Sequence, residues 1–439
     1  MLYTLLRGGT LKYSLIFALA LICLSLNSKT FVREYTYKAG EADSKLTSRA
    51  IALEQVKRLL LEEVGVYIKS SLSSQETEIN GTVSALTQKD IQVLSAGITQ
   101  TKVLEEKWDG ESYRLKAEIQ LDEKDVLRQL DDLISNEKGK EILEQNRAAT
   151  DAALQEIARL KAELEQEKDK NLQSALQVAY TSEVGKLSAV DYYEKGRSYF
   201  FGDNSKLPLA AEYFRKAVDA DSTFAAAWRV LGHCHKMENN LGSALKCFQK
   251  AYDLSKDLEI LVLIAECYYD LGEFSRANEY CEGVLKVDPD NFSAVNFGSL
   301  IYLSLQEYDK AIACYLRLIE LNAEPASMYS SIGDAYSEKG DFASAQDYYL
   351  RAVELEPEAS YNWAYLAVAS FNNGDFQQAI RALHKCLEFD TEEAWAEELL
   401  GRSYGMLADE VNSKKYYLLA ARHGNESAQD WCKYRNLSW

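Results

Sequence analysis

Residues 113–122 place an apolar side chain at every second position. Tyr113, Leu115, Ala117, Ile119 and Leu121 alternate with Arg114, Lys116, Glu118, Gln120 and Asp122. A period of two predicts a half-buried strand. Asp109-Gly110, just ahead of it, predicts a tight turn back to a partner strand near 99–107. "FVREYTYK" at 31–38 alternates aromatic and polar residues in the same manner. Between these stretches the period changes. Leu46, Ala50, Leu53, Leu60 and Val64 predict one stripe of a helix over 43–65, capped by Asp43 or Ser44 and closed by Gly65. A weaker helical pattern covers about 84–96. Together these elements predict a small α+β domain over 31–132.

Residues 133–186 are rich in Ala, Glu, Lys and Leu and predict one long helix as a linker. Leu143, Ala153, Ile157, Leu160 and Leu164 fall on heptad a and d positions, while Asn146, Thr150 and Glu167 interrupt the seam. Two readings follow: a solvated spacer, or a short coiled coil that joins two copies weakly through 143–167.

From residue 190 the helical stripe recurs on a fixed period. A small residue stands at Ala210, Ala244, Ala277, Ala311, Ala345, Ala379 and Ser413, in steps of 33 or 34. Four residues on comes Phe214, Phe248, Cys281, Tyr315, Tyr349, Leu383 or Tyr417, usually a large side chain. Twelve residues before lies a second small site: Gly232, Ala265, Ser299, Gly333, Ala367 and Gly401. The first unit has Gly196 there, two residues early, so 200–208 carries an insertion. Gly272, Gly340 and Gly374 punctuate the turn between. Each unit is therefore two helices that cross closely at small residues. Seven units fill 190–422, and 423–439, with Trp431 and Cys432, is suited to cap the last.

"WRVLGHCH" (228–235) with "ALKCFQKA" (244–251), and "YSSIGDAY" (329–336) with "AQDYYLRAVELEP" (345–357), resemble the tetratricopeptide repeat. The resemblance implies a mainly α fold. A superhelix of helix–turn–helix repeats follows the small α+β domain and the long spacer helix. It also implies that a protein or peptide partner lies along the first helices. The family's groove positions fall three residues before the first-helix small site, one after and four after. They give Tyr193, Arg197 and Phe200 in the first repeat and Arg229, His233 and Lys236 in the second. These suit an acidic segment, with the cations on its carboxylates and the rings on its side chains. Asn296 marks the neutral middle. Phe371, with Tyr361 and Trp363 nearby, suits an apolar or helical segment. The Lys/Asn set of a carboxylate clamp is not intact.

Charge narrows the partner class. The 439 residues carry a formal net charge of -19, which opposes nucleic acid and anionic lipid surfaces. At the N-terminus Arg7 and Lys12 precede an apolar run over 14–26, the pattern of a signal peptide within 1–28. The alternative is an uncleaved anchor, and then the N-terminus is the only membrane contact. With this leader, the 31–132 region resembles the small N-terminal domains of Gram-negative envelope proteins, which implies a periplasmic or envelope location. The seven cysteines beyond Cys23 have no framework spacing and read as small buried hydrophobes. His233 and His235 lie about 200° apart on a helix and cannot share a metal. No catalytic, cofactor or metal motif is present. The sequence thus describes a non-enzymatic interaction scaffold of the cell envelope. Its alternatives are a membrane-anchored assembly or secretion component, and an enzyme with unrecognised chemistry in the N-terminal domain.

Overall fold

The computed structural model describes residues 28–74, 101–122, 137–200, 206–389 and 393–439. The leader, the weak helical pattern at 84–96 and most of the insertion at 200–208 lie outside these residues. The fold is mainly helical. It divides into two compact units, one up to Cys234 and one from His235, and each is described by itself.

In the first unit, β1 (Ser28–Lys38) precedes α1 (Lys45–Ser74), β2 (Thr101–Trp108) and β3 (Ser112–Asp122). The strands form one antiparallel sheet in the order β1-β3-β2. The predicted turn is present: Gly110 takes φ +102°, and Asp109 accepts from the amides of Glu111 and Ser112. All five apolar residues of the β3 alternation are buried, packed under Leu53, Val56, Leu60 and Val64 of α1. The other face of the sheet is charged, with Arg114 forked onto Glu34 and Lys102 on Glu118.

Two expectations for α1 need correction. Gly65 does not end it; the helix continues to Ser74. Leu46 is exposed, because the first turn lies beyond the sheet. Ser44, not Asp43, caps the helix, by accepting from the Thr47 amide. Asp43 instead lies at the centre of a buried network. It accepts from the Gly40 amide at 2.7 Å, from Tyr37 at 3.0 Å and from Lys161 at 2.8 Å, and also from Tyr180.

Lys161 and Tyr180 come from α2 (Glu137–Gln166) and α3 (Lys170–Phe200). The expected spacer is therefore neither solvated nor an intermolecular coil. Ala153, Ile157, Leu160 and Leu164 bury against Tyr180, Val184 and Leu187 of α3 and against Ala50 and Ile51 of α1. The seam proposed to join two copies is covered within the chain. Leu143's side chain lies outside the described residues. α3 also runs on without a break into the first repeat, where Gly196 meets Phe214 of α4 (Leu207–Ala220). α5 (Ala225–Met237) spans the boundary between the units.

The second unit is a helical-repeat array. α6 (Leu241–Ser255) is followed by α7 (Leu258–Asp270) and α8 (Phe274–Val287). α9 (Phe292–Ser304) pairs with α10 (Tyr308–Glu320), and α11 (Pro325–Lys339) with α12 (Phe342–Leu355). α13 (Ser360–Asn372) pairs with α14 (Phe376–Phe389), and α15 (Ala394–Met406) with α16 (Glu410–Arg422). α17 (Glu426–Tyr434) closes the stack, its Trp431 lying flat on Tyr417 at 4.1 Å between centroids.

Two constraints repeat in every pair. First, the second-helix residue four after the period seats on the first-helix small site, a ring at Tyr349 and Tyr417 and a smaller side chain where Cys281 packs with Ala265 and Leu383 with Ala367. A Cβ on Gly333 would lie 2.7 Å from the Tyr349 ring, and one on Gly401 2.9 Å from Tyr417. Second, the inter-helix turn needs a left-handed residue. Gly272, Gly340 and Gly374 supply it at φ +77° to +83°. At the same phase Asn239, Gln306 and Ala408 adopt φ +58° to +61° without being glycine.

A longer rhythm runs beneath the 34-residue period. Tyr268, Tyr336 and Tyr404 stack on Tyr280, Tyr348 and Tyr416, each at 5.5 Å between centroids. In the intervening repeats the partner position holds Cys314 or Ala382 instead. Trp363 packs on the cluster that contains Ala382, so a larger ring offsets the smaller neighbour.

Two substitutions test these constraints in urea melts. Gly333→Ala is expected to lower stability by about 1–3 kcal/mol, through overpacking against Tyr349. Ala408→Gly is expected to raise it by about 0.5–1 kcal/mol, because glycine adopts the left-handed turn without Cβ strain.

Candidate binding face

The first helices α7, α9, α11, α13 and α15 carry the groove positions that the repeat resemblance implies. Ties one repeat apart link neighbouring first helices along this face. Tyr269 of α7 hydrogen-bonds Ser304 of α9 at 2.9 Å, and Ser330 of α11 donates to Asn362 of α13. The Arg402 guanidinium of α15 lies over the Phe371 ring of α13, 4.6 Å from its centroid. These contacts draw on different positions of the first helices: three before the small site at Ser330, one after at Arg402, and four after at Tyr269 and Phe371. Val262 and Ser330 are buried.

The same geometry corrects the reading of Tyr193. It is 3% exposed, packed on Phe214 at 5.7 Å and Phe224 at 5.0 Å, and so is core and not a stacking platform. Burial pushes its hydroxyl up, and the charges of Arg197 and Arg229 pull against that shift. The structure thus brings Tyr193, Arg197 and Arg229 together in the first unit. Phe200 is half-buried and meets Phe214 edge-on at 6.3 Å. His233 is half-buried on α5.

Lys236 belongs to the second unit and is not an open cation. Its Nζ lies 2.5 Å from Glu266 and 3.6 Å from Asp270. Burial pulls this lysine down, but the two carboxylates outweigh burial and hold it above its ordinary value. Capture of an acidic segment would have to compete with both. Asn296 is exposed, beside the exposed Leu300. Asp334 accepts from Tyr349 at 2.6 Å, and burial raises its carboxyl in spite of that bond.

Among the described residues of the first helices, α13 carries an apolar stripe open to solvent. Tyr361, Tyr365 and Val368 are 49%, 44% and 42% exposed and stand at i, i+4 and i+7, one stripe of the helix. Leu366, Ala367 and Ala369 bury its opposite side. Phe371 extends the stripe, held edge-on by Phe376 at 5.4 Å. Trp363 is not part of it, since its indole N–H donates to the Pro357 carbonyl at 2.8 Å and fastens the preceding turn. The period identified Val368 and Phe371 as groove positions. Tyr361 and Tyr365 fall outside that three-position rule, and their exposure follows from how α13 rotates in the stack.

The chemistry of the remaining reactive groups is structural. Burial pushes the Cys281 thiol up to about 12 and those of Cys267 and Cys314 to about 11. His235 sits 3.3 Å from Glu238, and His423 sits 2.8 Å from the buried Glu397. Among the described residues no cluster of His, Cys, Asp and Glu is arranged to hold a metal, and no helix is long and apolar enough to cross a membrane.

Comparison with known proteins bears on the array. Residues 193–258 and 331–386 match the model "Tetratricopeptide repeat", and 300–340 match "TPR repeat". Residues 237–318 match "Anaphase-promoting complex, cyclosome, subunit 3". Superkiller protein 3 of Schizosaccharomyces pombe is 22% identical over 272 residues, 60% of this chain and 20% of that protein. The general transcriptional corepressor ssn6 of the same organism is 33% identical over 97 residues, 21% of this chain and 9% of that protein. The chain thus spans a fifth or less of the length of these relatives. The crystal structure of the C-terminal part of a TPR repeat-containing protein from Cytophaga hutchinsonii aligns with 54% of this chain and 98% of its own, at 14% identity and a TM-score of 0.48. The family-model matches all lie within 193–386, so the envelope resemblance of the N-terminal region gains nothing from them.

The cysteine reading has a direct check. Iodoacetamide at pH 8 should leave Cys267 and Cys281 unmodified in the native chain and label both in urea, as read by peptide mass spectrometry.

Proposed function

We propose that this chain, a tetratricopeptide-repeat protein, is a protein-binding adaptor of the cell envelope that holds an apolar segment of its partner against α13. The exposed stripe of Tyr361, Tyr365 and Val368 carries this reading. Large apolar side chains in one line on a first helix offer the anchors that an amphipathic or extended segment needs. Proteins of this repeat class act as interaction scaffolds. The buried, raised thiols and the paired histidines favour a non-enzymatic role. The envelope location is supported by the apolar run at 14–26 and the small α+β region that follows it.

A second reading keeps an acidic group of the partner near Arg197 and Arg229. It is favoured by the proximity of both cations to the Tyr193 hydroxyl. Lys236 is left out of it, because Glu266 and Asp270 already hold that ammonium.

The test is site-specific photocrosslinking in the full chain. A benzophenone side chain at Val368 is expected to trap a protein adduct in the envelope fraction, and Tyr365→Ala should reduce that adduct about tenfold, the scale of one aromatic anchor. Equal trapping from Leu350, exposed on the second helix α12, would remove α13 as the docking face. N-terminal sequencing of the mature chain separates the two leader readings: loss of residues 1–28 indicates export with cleavage, and their retention indicates the anchored component.

A further inference from the structure

The binding reading makes no use of an ionic cluster between α1 and α3, whose centre, Lys57 and Asp191, is buried. Lys57 of α1 places Nζ 3.0 Å from Asp191 and 2.7 Å from Glu194, both on α3. Asp191 also holds Lys195, at 2.8 Å. Glu54, one turn before Lys57, lines the same small cleft together with Arg49, Leu187 and Tyr192. Its carboxylate lies 3.9 Å from Arg58, which Asp151 of α2 already engages. Arg147 of α2 adds a more distant cation. Every element packed here contributes charge: Glu54, Lys57 and Arg58 from α1, Arg147 and Asp151 from α2, and Asp191, Glu194 and Lys195 from α3. Lys57 and Lys195 serve Asp191 and Glu194 at contact distance, and the third carboxylate, Glu54, has a long ion pair to Arg58.

We propose that the packing of α3 on α1 is a pH-responsive joint, in which Glu54, crowded by the carboxylates of α3, carries a proton while the helices are closed and gives it up as they loosen. Releasing it adds a third carboxylate beside Asp191 and Glu194, with only the long pair to Arg58 close to it since Lys57 and Lys195 are already engaged, and loosens α3. Burial first, then the charges of Glu194 and Asp191, push Glu54 up to about 7 against the pull of Lys57 and Arg58. Asp191 stays ionised throughout; burial opposes its charge, but Lys57 and Lys195 hold it down to about 2. The sign follows from linkage. An acid raised in the closed state favours closure fully below its ordinary value near 4.5, and that favour is lost as the pH rises through about 7. α3 is one continuous helix from Lys170 to Phe200, so the residues of the joint and Gly196, which seats Phe214, move on the same rod. The joint therefore adjusts how firmly the N-terminal sheet region holds the helix that opens the repeats.

Hydrogen exchange on the full chain at pH 5.5 and 8.0, corrected for the intrinsic pH dependence of exchange, tests this. Protection of α1 and α3 amides is expected to fall roughly thirtyfold at the higher pH, the part of the shift from 4.5 to about 7 that lies between the two pH values. Glu54→Gln, neutral at both pH values, is expected to keep its protection, and α12 and α13 should not change in either protein. No fall in the wild type, or an equal fall in Glu54→Gln, overturns the proposal. Should Glu54→Gln fail to fold by circular dichroism, the carbon-13 carboxyl titration of Glu54 in the wild type decides. A midpoint near 7 supports the joint, and one near 4.5 overturns it.

Discussion

The close crossing of two helices at a small residue, filled by one side chain from the partner helix, is the contact on which the array depends. Gly333 under Tyr349 and Gly401 under Tyr417 set the separation of their own pairs, Gly196 under Phe214 does the same in the first unit, and Ala265 with Cys281 and Ala367 with Leu383 make the crossing with a small residue and a non-aromatic partner. Once that separation is fixed, the 3.6-residue turn decides which faces remain to meet the next repeat. No pair can bury both of its faces alone, so stacking follows. The flat Trp431–Tyr417 contact then covers the last open face with a ring belonging to no pair.

The first unit is held differently. Its hydrophobic clusters under the sheet and between α1, α2 and α3 are joined by two polar networks. Asp43 gathers donors from β1, α2 and α3, and Lys57 joins α1 to α3. Buried groups of this kind specify a geometry more than they add to stability, because desolvation offsets much of the attraction. They fix the angle at which α3 leaves the sheet region. Since α3 is also the first repeat helix, that angle sets the start of the array within this unit.

The candidate face shows how a repeat distributes function. Positions equivalent by period are not equivalent in environment: Val262 and Ser330 are buried, while Asn296 at the same phase is exposed. Lys236, expected to meet a partner, is engaged within the chain by Glu266, and Arg402 of α15 lies over the Phe371 ring. An open apolar stripe remains on α13. A chain with a net charge of -19 thus presents a nearly neutral line of aromatic and aliphatic side chains where a partner segment can dehydrate.

The sequence by itself determined the helix pairs, their period, the small sites and the buried side of β3. Each is a local rule read every two, four or 34 residues, and such rules survive without knowledge of neighbours. It also located the left-handed turns at Gly272, Gly340 and Gly374. It missed Gln306 and Ala408, where the fold imposes a backbone that the residue does not prefer. Tertiary structure alone decided the rest. The heptad seam of α2 predicts a partner but cannot say that the partner is α3 of the same chain. Tyr193 matches a groove position, yet Phe224, 31 residues away, closes over it. Asp43 reads as a helix cap until Lys161 and Tyr180 arrive from more than a hundred residues downstream. Burial and ion pairing depend on which distant side chains fold onto a position, and spacing along the chain carries no record of that.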